Sequence, residues 1–124
     1  MSDQYSSYLA VDDIHINGKL TNGEDIADLG GTMLAYVAWK HATEKMALKA
    51  MDGFTPDQRF FIGMAQWACG DVRPEKAREW AIVNPHSPLQ YRVNGVVANM
   101  PEFAEAFSCK TGSPMKRENM CRVW

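Results

Sequence analysis

The chain has 124 residues, 46% hydrophobic and 23% charged, which suffices for one compact domain with an apolar core. Thirteen basic side chains against fifteen acidic ones leave a net charge of −2 and no basic run, which excludes the electrostatic footprint of a nucleic-acid binder. No stretch reaches the roughly 18 uninterrupted apolar residues of a membrane span, and Met1 to Tyr8 lacks the basic-then-apolar plan of a signal peptide.

In chain order, residues 1 to 20 are polar and rich in turn formers, with Asn17-Gly18 as a turn signal. Thr21-Asn22-Gly23-Glu24 has capping-box spacing and predicts a helix from near residue 22 to Ala50 or Met51, stopping before Asp52-Gly53. At about 100° per residue, Ile26, Leu29, Met33, Tyr36 and Val37 share one side as a core stripe. The opposite side carries Glu24, Asp28, Gly31, Ala35, Ala38 and Ala42. That row is two carboxylates one turn apart, then side chains of minimal size, and such a row lets another helix approach closely. Between Ile26 and Trp39 Asp28 is the only charged residue, so this half of the helix is expected to be buried on nearly all sides. A buried carboxylate needs a cation, a donor or a metal, and Arg92 is the best candidate in the chain.

A second helix starts at Thr55-Pro56-Asp57-Gln58, with Thr55 as N-cap, proline in the first turn and Gln58 completing a capping box; it should end near Cys69, ahead of Gly70. Phe60, Phe61, Met64 and Trp67 on it read as core. A third helix follows Arg73-Pro74-Glu75 and ends before Asn84-Pro85. Pro85 and Pro88 break the next stretch, and Tyr91 to Val97 reads as extended chain with Asn94-Gly95 as a hairpin turn. A last short helix begins at Pro101-Glu102-Phe103 and ends before Cys109, and the tail to Cys121-Arg122-Val123-Trp124 is irregular. The fold class is mainly α: one long buried helix, shorter helices and an extended cleft-lining segment.

A catalytic zinc site needs three protein ligands and an open position. The histidines are His15, His41 and His86, and His-Glu-x-x-His is absent. His41-Ala42-Thr43-Glu44-Lys45 imitates the reversed order, but a protonated lysine is no ligand. Glu24 has two readings, a capping-box residue or a metal ligand at the mouth of a buried helix; Asp28, one turn on, is placed to accept a hydrogen bond from a ligand histidine. His86 and Arg92 lie six residues apart on a proline-stiffened stretch and can line one cleft, donating hydrogen bonds to an oxyanion and a carbonyl. Taken singly, each also fits an ordinary role, a locally satisfied histidine and a structural ion pair. Cys69, Cys109 and Cys121 are an odd number with no C-x-x-C pair; they are either buried apolar thiols or have partners on another segment.

With these residues in view, the sequence resembles the neprilysin and endothelin-converting-enzyme family of zinc metallopeptidases. Asn17-Gly18-Lys19-Leu20-Thr21 followed by Gly23-Glu24-Asp25-Ile26-Ala27-Asp28-Leu29-Gly30-Gly31 is similar to its Glu-Asn-Ile-Ala-Asp block. Gly53-Phe54-Thr55-Pro56, Arg73-Pro74, Pro85-His86-Ser87-Pro88, Arg92-Val93-Asn94-Gly95, Pro101 to Phe107 and Cys121-Arg122-Val123-Trp124 continue the likeness almost to the last residue. The resemblance implies that residues 1–124 are the C-terminal part of a zincin catalytic domain. It implies Glu24 as the third zinc ligand, Asp28 as the group orienting a ligand histidine, His86 as the transition-state donor and Arg92 as the holder of a substrate carbonyl. Trp67 and Ala68 are implied to shape the pocket for the side chain after the scissile bond. The remaining two zinc ligands and the general base are implied to lie on an upstream His-Glu-x-x-His helix that packs on the small-residue face.

On the same resemblance, the three cysteines pair with cysteines preceding Met1, and Met1 looks like a cut through a longer protein. The parent is expected to be a zinc endopeptidase acting on peptides outside the cytoplasm, and these 124 residues alone are expected to be inactive and prone to self-association. The alternative is a binding or structural module on the same fold. Asp25 stands where the family usually has asparagine, which adds a negative charge beside the metal ligand.

Overall fold

The computed structural model describes residues 1–123. Its elements are α1 (Ser2–Ser6), β1 (Leu9–Val11), β2 (Ile14–His15), α2 (Gly18–Thr43), α3 (Pro56–Ala65) with a 3₁₀ turn over Gln66–Ala68, α4 (Pro74–Val83), α5 (Leu89–Val97) and α6 (Pro101–Ala106). The architecture is mainly α, as expected. The polar start is more ordered than its composition suggested: α1 leads into a two-stranded antiparallel ribbon, with Leu9 opposite His15.

The long helix begins earlier than the capping-box spacing predicted. Asn17 is the N-cap, its side-chain oxygen accepting from the Leu20 amide at 3.2 Å. Gly18 is the first helical residue, and α1 crosses closely there: a Cβ at Gly18 would stand 2.2 Å from the Ser2 carbonyl oxygen. Thr21 therefore lies inside the helix, and the Thr21–Glu24 capping box is not formed. Helix α2 also stops short, at Thr43 rather than at Ala50 or Met51. Residues 44–50 are all exposed, and without a packed face a helix extension gains little from propensity.

Only part of the expected core stripe is buried. Leu29 and Met33 join Phe61, Val96, Val97 and Met100 in the central cluster, while Ile26 and Val37 are exposed at 37% and 63%. The small-residue side, with Gly31, Ala35 and Ala38, also faces outward, and a Cβ added at Gly31 would meet nothing within 4 Å. The helix is thus buried on one side, not on nearly all sides. Around its outer half the rings of Tyr36, Phe60, Phe61, Phe103 and Phe107 pack against one another, Tyr36 stacked on Phe61 and edge-on to Phe60, and Phe61 edge-on to Phe103, joining α2, α3 and α6.

The second, third and last helices lie close to where proline and capping signals put them. Thr55 and Gln58 form the reciprocal capping box, their side chains bonding each other's amides at 2.9 and 3.2 Å. The stretch expected to be extended is instead helix α5. Its Gly95, Val96 and Val97 are buried, and that burial outweighs the β preference of Val93, Val96 and Val97. Gly95 is a contact rather than a hairpin turn, since a Cβ there would lie 2.6 Å from the Tyr5 hydroxyl. Gln4 and Asn99 complete this junction: the Gln4 amide donates to the Gly95 carbonyl at 2.9 Å, and the Asn99 amide donates to Gln4 Oε1 at 2.9 Å.

Asp57 ties α3 to α2 by accepting from Tyr36 Oη and, at 3.1 Å, from Lys40 Nζ. Desolvation pushes its carboxyl up, but the bonds from Tyr36 and Lys40 outweigh that and hold it below the usual carboxylate range. A folded-state pKa below the unfolded value means stability that is complete above the unfolded pKa, about 3.9, and lost as pH falls through the folded value. Asp57→Asn should therefore lower the thermal midpoint at about pH 7, with the gap from wild type closing as the pH falls below the unfolded pKa and on through the lowered folded one. Melting curves across that range check it; a gap independent of pH would rule the linkage out.

Candidate active site

Two separated stretches meet at the start of α2. Glu24 and Asp28, one turn apart, come from α2, His86 from the Asn84–Pro88 segment and Arg92 from the first half of α5. Arg92, the best candidate from the sequence, is the partner of Asp28: Nε donates to Oδ2 at 2.6 Å and Nη2 to Oδ1 at 2.8 Å. The two side chains are only 18% and 17% exposed, so this fork geometry sits largely out of water, where it is strongest. The bonds to Asp28 raise the Arg92 pKa above its ordinary value. Asp28 occupies two of the five guanidinium N–H donors, leaving others to face a ligand.

Glu24 stands above this pair and remains 43% exposed. Its Oε2 lies 3.3 Å from His86 Nε2 and 3.7 Å from Arg92 Nη2. The imidazole is held from its other side: the His86 amide lies 3.0 Å and Nδ1 2.9 Å from Asn84 Oδ1. With Nδ1–H donating to Asn84, Nε2 is left as the atom aimed at Glu24 and solvent. The result is one half-exposed carboxylate oxygen faced by two nitrogens from a distant stretch. The sequence linked Asp28 to Arg92 and Glu24 to Asp28; the fold brings all four together with His86.

Trp67 is not core. It is 52% exposed, and its indole lies against the Arg92 guanidinium, with Cζ 4.9 Å from the ring centroid. Ala68, at the end of the same 3₁₀ turn, is half-buried. Trp67 thus joins the cluster from the far side of Arg92. His86 and Arg92 also line a cavity of about 340 Å³, walled by Ile16, Ala77, Trp80, Ala81 and Leu89.

Asp25 does not add its charge next to Glu24 at the surface. Its carboxylate is fully buried at 0% exposure and accepts from Thr21 Oγ1 at 2.7 Å and Ser87 Oγ at 2.8 Å. Burial pushes the Asp25 pKa up, against the opposing pull of those two hydroxyls. Thr21 was expected in a capping box instead, and Ser87 was assigned no role from the sequence. The available signal was a hydroxyl four residues before an acid inside a helix, which places both on one face.

A catalytic zinc takes three protein ligands. Glu24 fits one of them, with an accessible oxygen and no competing buried partner. Among the described residues no three His, Cys, Asp or Glu side chains converge to hold a metal, so the ligand set is not completed within them. Cys69, Cys109 and Cys121 are free thiols, and among the described residues no helix is long and apolar enough to cross a membrane.

The profile of peptidase family M13 matches residues 1–123. The chain belongs to peptidase family M13. It is similar to neprilysin-1 of Caenorhabditis elegans, 46% identical over 117 residues that cover 90% of the chain and 16% of that protein. To human endothelin-converting enzyme 1 it is 42% identical over 127 residues, covering 100% of the chain and 16% of the relative. The fold of the Mycobacterium tuberculosis zinc metalloprotease Zmp1 in complex with inhibitor matches with a TM-score of 0.92 at 34% identity, over 99% of this chain and 20% of that one. This M13 chain therefore spans about a sixth of the length of these curated relatives.

Proposed function

We propose that this M13 chain supplies one zinc ligand and the transition-state donors of a zinc endopeptidase whose remaining ligands lie on another part of the same protein. The observation that carries the reading is the meeting of Glu24, His86 and Arg92 at one exposed oxygen, on a scaffold whose family relatives include neprilysin and endothelin-converting enzyme. Glu24 is the ligand; the bound ion supplies Lewis acidity toward a scissile carbonyl and its attacking water. His86, held through Nδ1 at Asn84 Oδ1, presents Nε2 to the site as the donor to the developing oxyanion. Arg92, fixed by Asp28 and Trp67, offers its free N–H groups to a substrate backbone carbonyl. Asp28 keeps lone pairs beyond those used by Arg92, and these suit an N–H from a ligand histidine. Trp67, Ala68 and the apolar cavity lined by His86 and Arg92 receive neighbouring substrate side chains.

The outward small-residue face of α2 is where the helix carrying the remaining ligands packs, and without it that face favours self-association. The same face fits the second reading, a binding module that recruits another chain without catalysis. Peptide substrates and an extracytoplasmic location follow from the enzyme reading, with Cys69, Cys109 and Cys121 pairing elsewhere in the full protein.

The test is peptide cleavage by the full-length protein. Cleavage should stop with a zinc chelator and return with zinc, while the 124-residue chain alone should hold near-zero zinc and cleave nothing. A full-length protein that binds peptides without cleaving them would favour the module. Chelator-sensitive cleavage by the short chain would overturn the divided site.

A further inference from the structure

Asp25 lies fully inside the molecule, and its two hydroxyl partners, Thr21 and Ser87, are 3% and 4% exposed. Ser87 directly follows His86 and is flanked on the other side by Pro88. Its hydroxyl reaches Asp25 Oδ1 at 2.8 Å, across 62 residues of sequence, while Thr21 holds Oδ2 at 2.7 Å from one turn back on α2. The bond from Ser87 joins the segment that carries His86 to the helix that carries Glu24. A second contact between them, His86 to Glu24, is half-exposed and longer, at 3.3 Å. An exposed contact of that length moves easily, whereas a buried hydroxyl–carboxylate bond has no water to replace it. Pro85 and Pro88 stiffen the segment on either side, so the placement of Ser87 sets the placement of His86.

We propose that Asp25 and Ser87 are positioning residues, a buried latch that fixes His86 over Glu24. The proposal rests on the reading of His86 as the oxyanion donor, and it adds the reason why His86 is held there. Displacing a catalytic group by about 1 Å costs on the order of 10²-fold in rate. A group that acts mainly in the transition state lowers kcat more than it changes KM. Asn at position 25 keeps the latch, because a carboxamide accepts from one hydroxyl and donates to the other.

The experiment uses full-length protein carrying Ser87→Ala, Asp25→Ala, both together, or Asp25→Asn. Kinetics and zinc content are measured with hydrogen–deuterium exchange over residues 84–92. Ser87→Ala should lower kcat by about 10- to 100-fold, with KM within about 2-fold and zinc retained. Exchange should rise in residues 84–92 and not elsewhere. The double variant should lose no more kcat than Asp25→Ala alone, as for two parts of one device, and Asp25→Asn should restore most of the rate. Unchanged kcat in Ser87→Ala, unchanged exchange in residues 84–92, or additive losses in the double variant would each overturn the latch. Absence of cleavage by the wild-type protein would instead sink the peptidase reading, and exchange in residues 84–92 would then judge the latch alone.

Discussion

Glu24→Ala in the full-length protein is expected to abolish zinc binding and to lower kcat/KM by about 10³-fold or more, the scale of a Lewis acid worth several kcal/mol. The fold should survive. Glu24 is 43% exposed and makes no buried hydrogen bond, and surface substitutions of that kind usually change stability by within about 0.5 kcal/mol. The structure also removes the competing role for this residue. The helix is capped by Asn17 rather than by a Thr21–Glu24 box, so a Glu24 variant loses no cap. Elemental analysis after equilibration in buffered zinc, with a melting curve as the control for folding, checks both halves. One zinc per protein in Glu24→Ala would show that the metal is held without this carboxylate.

Arg92→Met is expected to lower kcat/KM by about 10²- to 10³-fold, the range seen when a preorganised transition-state donor is lost, while leaving zinc bound. It should also destabilise the protein by about 3 kcal/mol, the lower end for breaking a buried pair, because Asp28 keeps some solvent contact at 17% exposure. The two effects can be separated. Asp28→Asn together with Arg92→Met removes the stranded charge and should recover most of the stability, since deleting both partners costs far less than deleting one. It should recover none of the activity. Arg92→Lys keeps a charge but loses the two-point fit to Asp28 and the stacking on Trp67, so it should behave closer to Met than to Arg. Activity returning with stability in the double variant would mean that Arg92 serves only the fold.

Several elements were legible in the sequence because their signals are local. Thr55-Pro56 with Gln58 starts α3, Arg73-Pro74 starts α4 and Pro101 starts α6; each signal lies within one turn of the backbone groups it satisfies. Asp28 was legible as a group in need of a cation, since a lone carboxylate in an apolar run has few alternatives, and Arg92 is that cation. The likeness to peptidase family M13 was legible for a related reason, an ordered run of motifs that the profile match over residues 1–123 supports.

What the sequence by itself determined is therefore the mainly α class, the family, and the starts of those helices whose caps lie beside them in the chain. Tertiary structure alone decided where α2 ends, that Leu89–Val97 is a helix, and that Glu24 meets His86. It also decided that Asp25 turns inward to Ser87, while Ile26, Val37 and Trp67 face out. The physical reason is range. A cap or a proline acts on backbone groups a few residues away, whereas burial is settled by partners tens of residues distant, such as Tyr5 against Gly95 and Ser87 against Asp25.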